Sequence, residues 1–345
     1  MSTMHEVARR AGVSLKTVSR VVNGEAAVSE ATRQKVTAAI AELDFRPNSV
    51  ARKLRTGRID LIGLALPQLS QPYFSALAEA VMREAERHGL TVLIELTGGD
   101  PEAELATARE HGPHLGGLLM YPVGLSDEQA RSVARFVPTV LMSERAYDAP
   151  VDRVAMANRE GARALVAHMA SLGYTRIAAL GADHSGRPEH TAAHLRLAGY
   201  QDGLREAGLD CPPELVQEVS TADWNRHAGA AGMRRLIDTG ASFDAVVAFS
   251  DVLALGALRT LQEAGLRVPA DVAVAGFDNI DDARYSYPTL TSVEPGIAQI
   301  AREALALLNN RMNDAAAAEN RLIVADFELT ARESTLGGMA AWGGA

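Results

Sequence analysis

From Asp60 onward, short apolar runs alternate with segments whose apolar residues recur at helical spacing. This alternation predicts parallel α/β sheets with helices on both faces. Because 345 residues exceed what one hydrophobic core normally serves, we expect two such sheets. The predicted strands are Leu61–Pro67, Thr91–Leu96, Gly116–Tyr121, Val140–Ser143, Val154–Met156, Ile177–Gly181, Leu215–Ser220, Ala245–Phe249 and Val272–Phe277. Helical patterns between them include Ser75–His88, Glu160–Leu172 and His190–Ala207.

The first sixty residues have a different pattern, which predicts three short helices. Thr3 and Glu6 have the spacing of a capping box, and Gly12 can adopt the left-handed conformation that ends a helix. Ser14 and Ser29 are suited to begin the second and third helices. Short helices joined by turns in this way are typical of a helix-turn-helix unit.

Charge separates this head from the rest of the chain. Residues 1–58 contain eleven Lys and Arg against five Asp and Glu, a net charge of +6. The remaining residues contain 23 Lys and Arg against 38 Asp and Glu, a net charge of −15. A cationic head on an anionic body indicates that only the head contacts a polyanion such as DNA.

The predicted second helix has the side chains that DNA reading requires. A recognition helix enters the major groove with its N-terminal residues against the base edges. Lys16 and Arg20 can donate to guanine, and Leu15 can contact a thymine methyl group. Phosphate contacts suit the polar side chains Ser14, Thr17, Ser19 and Asn23. An ordinary solvated helical hairpin is the alternative interpretation.

This second helix and its flanks resemble the DNA-binding signature of the lac repressor/galactose repressor (LacI/GalR) family. The matching residues are Ala11-Gly12-Val13-Ser14, Thr17-Val18-Ser19-Arg20-Val21, Asn23, Val28-Ser29, Thr32-Arg33, Leu43 and Arg46-Pro47-Asn48. The resemblance extends to near Ser334. It implies an all-α helix-turn-helix head and an α/β body with the two-lobed, periplasmic-binding-protein-like fold and its parallel sheets.

The resemblance also implies that residues 48–58 form a hinge helix, which lies in the minor groove of the operator when two subunits meet. Its implied DNA contacts are Asn48, Ala51, Arg52 and Leu54. Leu54 would wedge between base pairs, which bends the duplex. On composition alone the segment is a short basic linker and a marginal helix in water. Both interpretations hold if the segment becomes ordered on DNA.

We therefore expect four segments along the chain. They are a helix-turn-helix head at 1–47, the hinge at 48–58, an effector-binding and dimerisation body at 59–338 and a flexible tail at 339–345. By the resemblance, the body divides into an N-lobe, 60–161 and 291–322, and a C-lobe, 162–290 and 323–338. The tail is rich in Gly and Ala without heptads, so we expect a homodimer rather than a tetramer.

Ligands of parallel sheets bind beyond the carboxyl ends of the strands, so the predicted effector site is a cleft between the two lobes. Gln71, Tyr73 and Phe74 follow the first strand, and Trp224 follows a later strand in the other lobe. Aromatic rings at these positions can stack on a sugar ring or a base. Core packing is the alternative for Tyr73 and Phe74.

Polar candidates come from the C-lobe. Arg196 matches a family arginine that contacts the effector, and its planar fork suits paired hydroxyls or a carboxylate. Asp251 and Asp278 both follow apolar strands, where carboxylates can accept hydrogen bonds from hydroxyls; helix capping is the alternative for Asp251. Purine-binding family members carry arginine and threonine at the positions of His190 and Ala192. We therefore expect a carbohydrate effector, with His190 facing the cleft.

The sequence thus predicts a transcriptional repressor that binds a palindromic operator in double-stranded DNA as a homodimer, under control of a small-molecule effector. No catalytic residue, metal site or cofactor is predicted. The single cysteine, Cys211, and the lack of an apolar N-terminal signal favour the cytoplasm, with nucleoid association on DNA, and argue against the membrane. The alternatives are a solute-binding protein and a sugar or nucleoside enzyme that uses Asp251 and Asp278 as acid and base.

Overall fold

A computed structural model describes residues 3–22, 28–45, 59–183, 191–313 and 320–336. The chain forms two compact units, Met1–Ile59 and Asp60–Ala345. Within the described ranges, no helix combines the length and the apolar character needed to cross a bilayer. The predicted hinge (48–58) and tail (339–345) lie outside the described residues, as do the candidate contacts Asn23, Asn48, Ala51, Arg52, Leu54 and His190.

The first unit contains the three predicted helices. They are α1 (Met4–Ala11), α2 (Leu15–Val22) and α3 (Glu30–Glu42). Helix α1 begins at a capping box, because Thr3 Oγ1 accepts from the main-chain N–H of Glu6 at 3.3 Å, and the Glu6 carboxylate accepts from the N–H of Thr3 at 2.7 Å. It ends at Gly12, whose φ of 66° is left-handed. The three helices share one small core, which contains the fully buried side chains of Val7, Val18 and Val36.

The second unit contains two six-stranded sheets and ten helices within its described residues. The helices are α4 (Pro72–Arg87), α5 (Pro101–His111), α6 (Asp127–Phe136), α7 (Asn158–Ser171), α8 (Ala192–Glu206), α9 (Arg226–Asp238), α10 (Asp251–Glu263), α11 (Asp282–Tyr285), α12 (Ile297–Asn313) and α13 (Glu333–Leu336). The strands are β1 (Leu61–Leu66), β2 (Thr91–Leu96), β3 (Gly117–Met120), β4 (Thr139–Met142), β5 (Asp152–Ala155), β6 (Ile177–Ala182), β7 (Val216–Glu218), β8 (Ala245–Ala248), β9 (Ala273–Phe277), β10 (Thr291–Glu294), β11 (Leu322–Val324) and β12 (Glu328–Thr330).

Each sheet forms the centre of one lobe. The N-lobe sheet has the order β11-β5-β4-β3-β1-β2 and is parallel throughout. The C-lobe sheet has the order β12-β10-β9-β8-β6-β7, and only the β10–β12 pair is antiparallel. Central strands such as β1, β8 and β9 are almost wholly apolar and buried because helices cover both faces. The predicted α/β fold class is confirmed.

Each of the nine predicted strands overlaps a strand of the structure. Three further strands, β10, β11 and β12, were not predicted from the sequence. Strand β10 pairs with β9, so residues 291–294 belong to the C-lobe, although the N-lobe was expected to resume at 291. Strand β11 pairs with β5, so residues 322–324 belong to the N-lobe, although the C-lobe was expected from 323. Strands of three or four residues lack the apolar run that reveals a strand.

The first crossing between the lobes also lies earlier than expected. Strand β5 ends at Ala155, and α7 begins at Asn158 and packs against α8 of the C-lobe. This packing is close because Gly199 has no side chain: a Cβ there would lie 2.0 Å from the main-chain oxygen of Arg159. The N-lobe boundary therefore falls before Asn158 rather than at residue 161.

Candidate functional site

A cavity of about 310 Å³ lies between the two lobes, beside the carboxyl ends of strands from both sheets. Its lining contains six of the predicted effector contacts: Gln71, Tyr73, Phe74, Arg196, Trp224 and Asp278. It also contains residues that the sequence analysis missed, among them Tyr121, Glu144, Arg145 and Tyr147. Across the described ranges, no three His, Cys, Asp or Glu side chains are grouped as a metal ion would require.

The N-lobe contributes an aromatic wall. Helix α4 begins at Pro72, three residues earlier than predicted, so Tyr73 and Phe74 lie in its first turn. Their rings meet edge to face at 5.3 Å, and Phe74 meets Tyr121 in the same way at 5.0 Å. Tyr73 and Phe74 are largely buried and still line the cavity, so they serve the core and the site together. Tyr121 follows β3 directly, a position that the rule of strand ends could have identified.

Arg196 is the central cation of the site and is 2% exposed. Its Nε donates to Oδ1 of Asn158 at 2.7 Å, and another guanidinium nitrogen donates to the main-chain oxygen of Phe249. The guanidinium lies 3.6 Å from the ring centre of Phe277 and 5.5 Å from that of Trp224. Aromatic faces attract cations, so Arg196 is held in one orientation at the cavity wall.

Asp278 accepts hydrogen bonds from two partners. Ser250 Oγ donates to Oδ2 at 2.9 Å, and the guanidinium of Arg196 reaches Oδ1 at 3.4 Å. Burial raises the pKa of Asp278 to about 6, and the charge of Arg196 opposes this rise. A carboxylate in this position can still accept hydrogen bonds from ligand hydroxyls on the cavity side.

The backbone at Asp278 is strained. Asp278 and Asn279 have φ values of 107° and 47°, which non-glycine residues adopt infrequently. The main-chain N–H of Asn279 donates to Ser292 Oγ at 3.0 Å, and its side-chain oxygen accepts from Arg332 at 2.7 Å. Strain of this kind persists where the surroundings hold it, and it commonly marks ligand sites.

Asp251 does not line the cavity, contrary to the prediction. It is fully buried at the first residue of α10, where its Oδ1 accepts from Ser292 Oγ at 2.6 Å and its Oδ2 accepts from the N–H of Ile280 at 2.9 Å. Burial and the neighbouring Asp278 raise its pKa well above the ordinary value. Asp251 thus stabilises the strained turn from the core side, through its hydrogen bonds to Ser292 and Ile280. Because Asp251 is buried there, one carboxylate of the hypothetical acid–base pair does not face the cleft.

One hydrogen bond joins the lobes at the edge of the cavity. Gln71 Nε2, in the N-lobe, donates to the main-chain oxygen of Trp224, in the C-lobe, at 3.3 Å. The indole N–H of Trp224 is used within its own lobe, because it donates to the oxygen of Val219 at 3.2 Å. The mostly buried ring of Trp224 therefore presents its apolar surface to the cavity, opposite the aromatic wall.

A buried amide connects charged groups of the two lobes. Asn158 Nδ2 donates to Oε1 of Glu144, in the N-lobe, at 2.7 Å, while Oδ1 of Asn158 accepts from Arg196 in the C-lobe. Oε1 of Glu144 also accepts from the N–H of Met156 at 3.3 Å. Burial raises the pKa of Glu144. Glu144 lies two residues after β4, so the rule of strand ends could have found it.

On the head, α2 presents a polar face. Ser14 Oγ accepts from the N–H of Thr17 at 3.1 Å, which caps the helix as predicted. Lys16 is exposed, and Leu15 keeps 39% of its surface exposed although it is apolar. Ser19 and Arg20 are partly exposed, whereas Val18 points into the core. The predicted recognition residues thus lie on the outer side of the helix.

Comparison with known proteins gives the same two parts. Residues 3–48 match the family model described as bacterial regulatory proteins, lacI family, and residues 166–335 match the periplasmic binding protein-like domain. The ribose operon repressor of Escherichia coli K12 is 32% identical over 327 residues, which cover 93% of this chain and 96% of the repressor.

Two solved structures resemble the whole chain. The lac repressor dimer bound to operator and the anti-inducer ONPF has a TM-score of 0.81 at 30% identity, and the match covers 97% of this chain and 99% of that one. The complex of the transcriptional regulator CelR with cellobiose has a TM-score of 0.70 at 29% identity, and the match covers 97% of this chain and all of that one. These matches confirm the resemblance predicted from the sequence, and the chain belongs to the LacI family of bacterial regulatory proteins.

Proposed function

We propose that this protein is a dimeric repressor that binds a pseudo-palindromic operator. Its affinity for the operator changes when a small carbohydrate binds between the lobes. The observation that carries the proposal is the pairing of a capped helix-turn-helix head with a body whose cleft is lined by aromatic rings, an arginine and carboxylates. Lys16, Arg20 and Leu15 are the proposed base contacts. A two-fold dimer reads two half-sites of an inverted repeat.

A carbohydrate suits the cleft better than a purine. Tyr73 and Trp224 provide apolar faces on opposite sides of the cavity, where a sugar ring can stack. Asp278 and Arg196 provide an acceptor and a donor for neighbouring hydroxyls. The names of relatives agree with this choice, because one is a ribose operon repressor and another was solved with cellobiose.

Binding in this cleft can be linked to the arrangement of the lobes. The hydrogen bond between Gln71 and Trp224 and the Asn158 bridge between Glu144 and Arg196 both cross from one lobe to the other. A ligand that contacts both walls stabilises the arrangement in which it fits best, and only this difference in affinity can shift the equilibrium. We propose that the shift reaches the DNA through the hinge residues that the sequence predicts, Leu54 above all.

The two other classes of function have less support. A solute-binding protein has no use for the DNA-reading head that residues 3–48 match. For an enzyme, the proposed acid–base pair is incomplete because Asp251 has no access to the cavity. We therefore propose a non-enzymatic regulator that acts on chromosomal DNA in the cytoplasm.

The test is an unbiased selection of DNA. Full-length protein is incubated with random duplexes, and bound sequences are recovered with and without ribose, galactose or cellobiose. We expect an inverted repeat, whose recovery changes with one of the sugars. Recovery of DNA without an inverted repeat in every condition would reject the operator-specific function, and a repeat whose recovery no sugar changes would reject the carbohydrate effector alone.

A further inference from the structure

Charges at the cavity wall are unevenly neutralised. Among the described lining residues, four are charged: Glu144, Arg145, Arg196 and Asp278. Arg196 and Asp278 face each other at 3.4 Å and offset each other's charge. Arg145 is engaged elsewhere, because it donates to the oxygen of Leu125 at 2.6 Å and reaches Asp127 at 3.3 Å. Among the described residues, no cation pairs with the carboxylate of Glu144 directly, although Arg153 donates to the main-chain oxygen of Glu144 at 3.2 Å and the charge of Arg196 acts on the carboxylate from a distance.

The two oxygens of the Glu144 carboxylate differ in their partners from the rest of the chain. The two donors from other residues, Nδ2 of Asn158 and the N–H of Met156, both bind Oε1, and the main-chain N–H of Glu144 itself also bonds to the carboxylate. Oε2 accepts no hydrogen bond from another residue within the part of the chain that the structure describes, and Glu144 lines the cavity. Glu144 lines the same cavity as Tyr73 and Tyr121; burial raises the pKa of both tyrosines, and the negative charge of Glu144 adds to the rise.

We propose that Glu144 is a specificity-determining residue, whose Oε2 accepts a hydroxyl of an uncharged carbohydrate and excludes sugars that carry a phosphate or a carboxylate. This inference rests on the proposed function, since it names the class of carbohydrate. A carboxylate oxygen at the cavity wall that is bonded to no other described residue can accept a hydrogen bond from a ligand hydroxyl. A second anion in the same enclosed space meets the repulsion of a like charge, which is stronger there than in water.

The first measurement compares matched sugars by isothermal titration calorimetry: ribose with ribose 5-phosphate, and galactose with galactose 6-phosphate. Three proteins are used, namely wild type, Glu144→Gln and Glu128→Gln. Glutamine keeps the shape of Glu144 and an acceptor oxygen but removes the charge. Glu128 is exposed in the first turn of α6, so its variant removes one charge of the same lobe away from the cavity.

For the sugar that binds, we expect wild type and Glu128→Gln to prefer the unphosphorylated form by at least a hundredfold. In Glu144→Gln this preference falls about tenfold, while any purely steric rejection of the phosphate stays unchanged. A wild type that binds the phosphorylated sugar as tightly as its parent overturns the proposal and leaves the carbohydrate effector standing. Equal preferences in wild type and Glu144→Gln also overturn it.

A second measurement decides the role of Glu144 if none of these sugars binds, a result that would count against the carbohydrate effector. The chain contains two tryptophans, so the Trp342→Phe protein has Trp224, at the cavity, as its only indole. Its fluorescence is quenched with iodide and with caesium at pH 8. Adding Glu144→Gln should raise the ratio of the iodide to the caesium quenching constant about fourfold, because loss of a charge about 10 Å away in water raises the local iodide concentration and lowers the local caesium concentration about twofold each. Adding Glu128→Gln should leave it unchanged. A ratio that does not respond to Glu144→Gln overturns the exclusion of anions.

Discussion

The side-chain amide of Gln71 and the main-chain oxygen of Trp224 are joined by a 3.3 Å hydrogen bond across the cleft. Gln71 immediately precedes α4 of the N-lobe, and Trp224 follows the end of β7 in the C-lobe. Because each residue belongs to a different lobe, the bond exists only when the lobes are close together. It therefore contributes to the closed arrangement and is lost when the cleft opens.

Replacing Gln71 by alanine should weaken sugar binding. Loss of one hydrogen bond costs about 1 kcal/mol, which corresponds to about fivefold in affinity. Calorimetric titration with the sugar that binds wild type measures the change. Gln68→Ala is the control, since Gln68 also lines the cavity but its oxygen accepts from Ser70 of the same lobe at 2.8 Å. An equal loss in both variants would contradict a special role for the bond across the cleft.

Arg196 and Asp278 should depend on each other for stability. Arg196→Met leaves the buried carboxylate of Asp278 without its cation, which should lower the free energy of unfolding by about 3 kcal/mol. The double variant Arg196→Met with Asp278→Asn removes both charges and should recover most of this loss. Urea denaturation of the three proteins gives the coupling energy. Strictly additive effects would show that the two side chains do not interact.

The sequence predicted the architecture well because parallel strands buried on both faces are long apolar runs, as in β1 and β9. It could not separate Asp251 from Asp278, since both follow such runs. Only the fold distinguishes them: Asp251 begins a helix and points into the core, whereas the positive φ at Asp278 brings its side chain to the cavity wall. Asn158 was missed for a similar reason, because its partners Glu144 and Arg196 are 14 and 38 residues away.

The stability of the protein should depend on pH through Asp278. Its pKa is raised from 3.8 to about 6 in the folded state, so the folded state holds this proton more tightly than the unfolded state does. As pH rises from about 4 to about 6, wild type should therefore lose up to about 3 kcal/mol relative to Asp278→Asn, with little change above pH 7. Urea denaturation across this range measures the difference. A wild type that gains stability relative to the variant would show that pairing with Arg196 outweighs burial.

Lys16 should contribute to operator recognition rather than to general DNA affinity. It is exposed near the start of α2, where a side chain can donate to guanine, a contact worth about 1–3 kcal/mol against the wrong base. Lys16→Ala should therefore weaken binding to the selected operator more than binding to random duplex, as measured by fluorescence anisotropy at constant salt. Lys35→Ala on α3 is the matched control. If Lys16→Ala weakens both duplexes equally, Lys16 contacts phosphates only.

The edge of the N-lobe sheet should contain part of the dimer interface. Strand β2 is the last strand of this sheet, and its Leu93 and Leu96 are exposed together with Met82 on the adjacent α4. Strand residues alternate between the two faces of a sheet, so Leu93 and Leu96 lie on opposite faces of this edge, and exposed apolar side chains on an unpaired edge strand favour contact with a second copy. Leu96, 54% exposed, is the best single position for a test, because a charge there would be buried without a partner on association.

The Leu96→Asp variant should sediment as a monomer at concentrations where wild type is a dimer. It should also lose affinity for the inverted repeat more than for a single half-site. Leu172→Asp, at an exposed apolar position that ends α7 in the C-lobe, should remain dimeric. A dimeric Leu96→Asp protein with unchanged operator affinity would place the interface on another face.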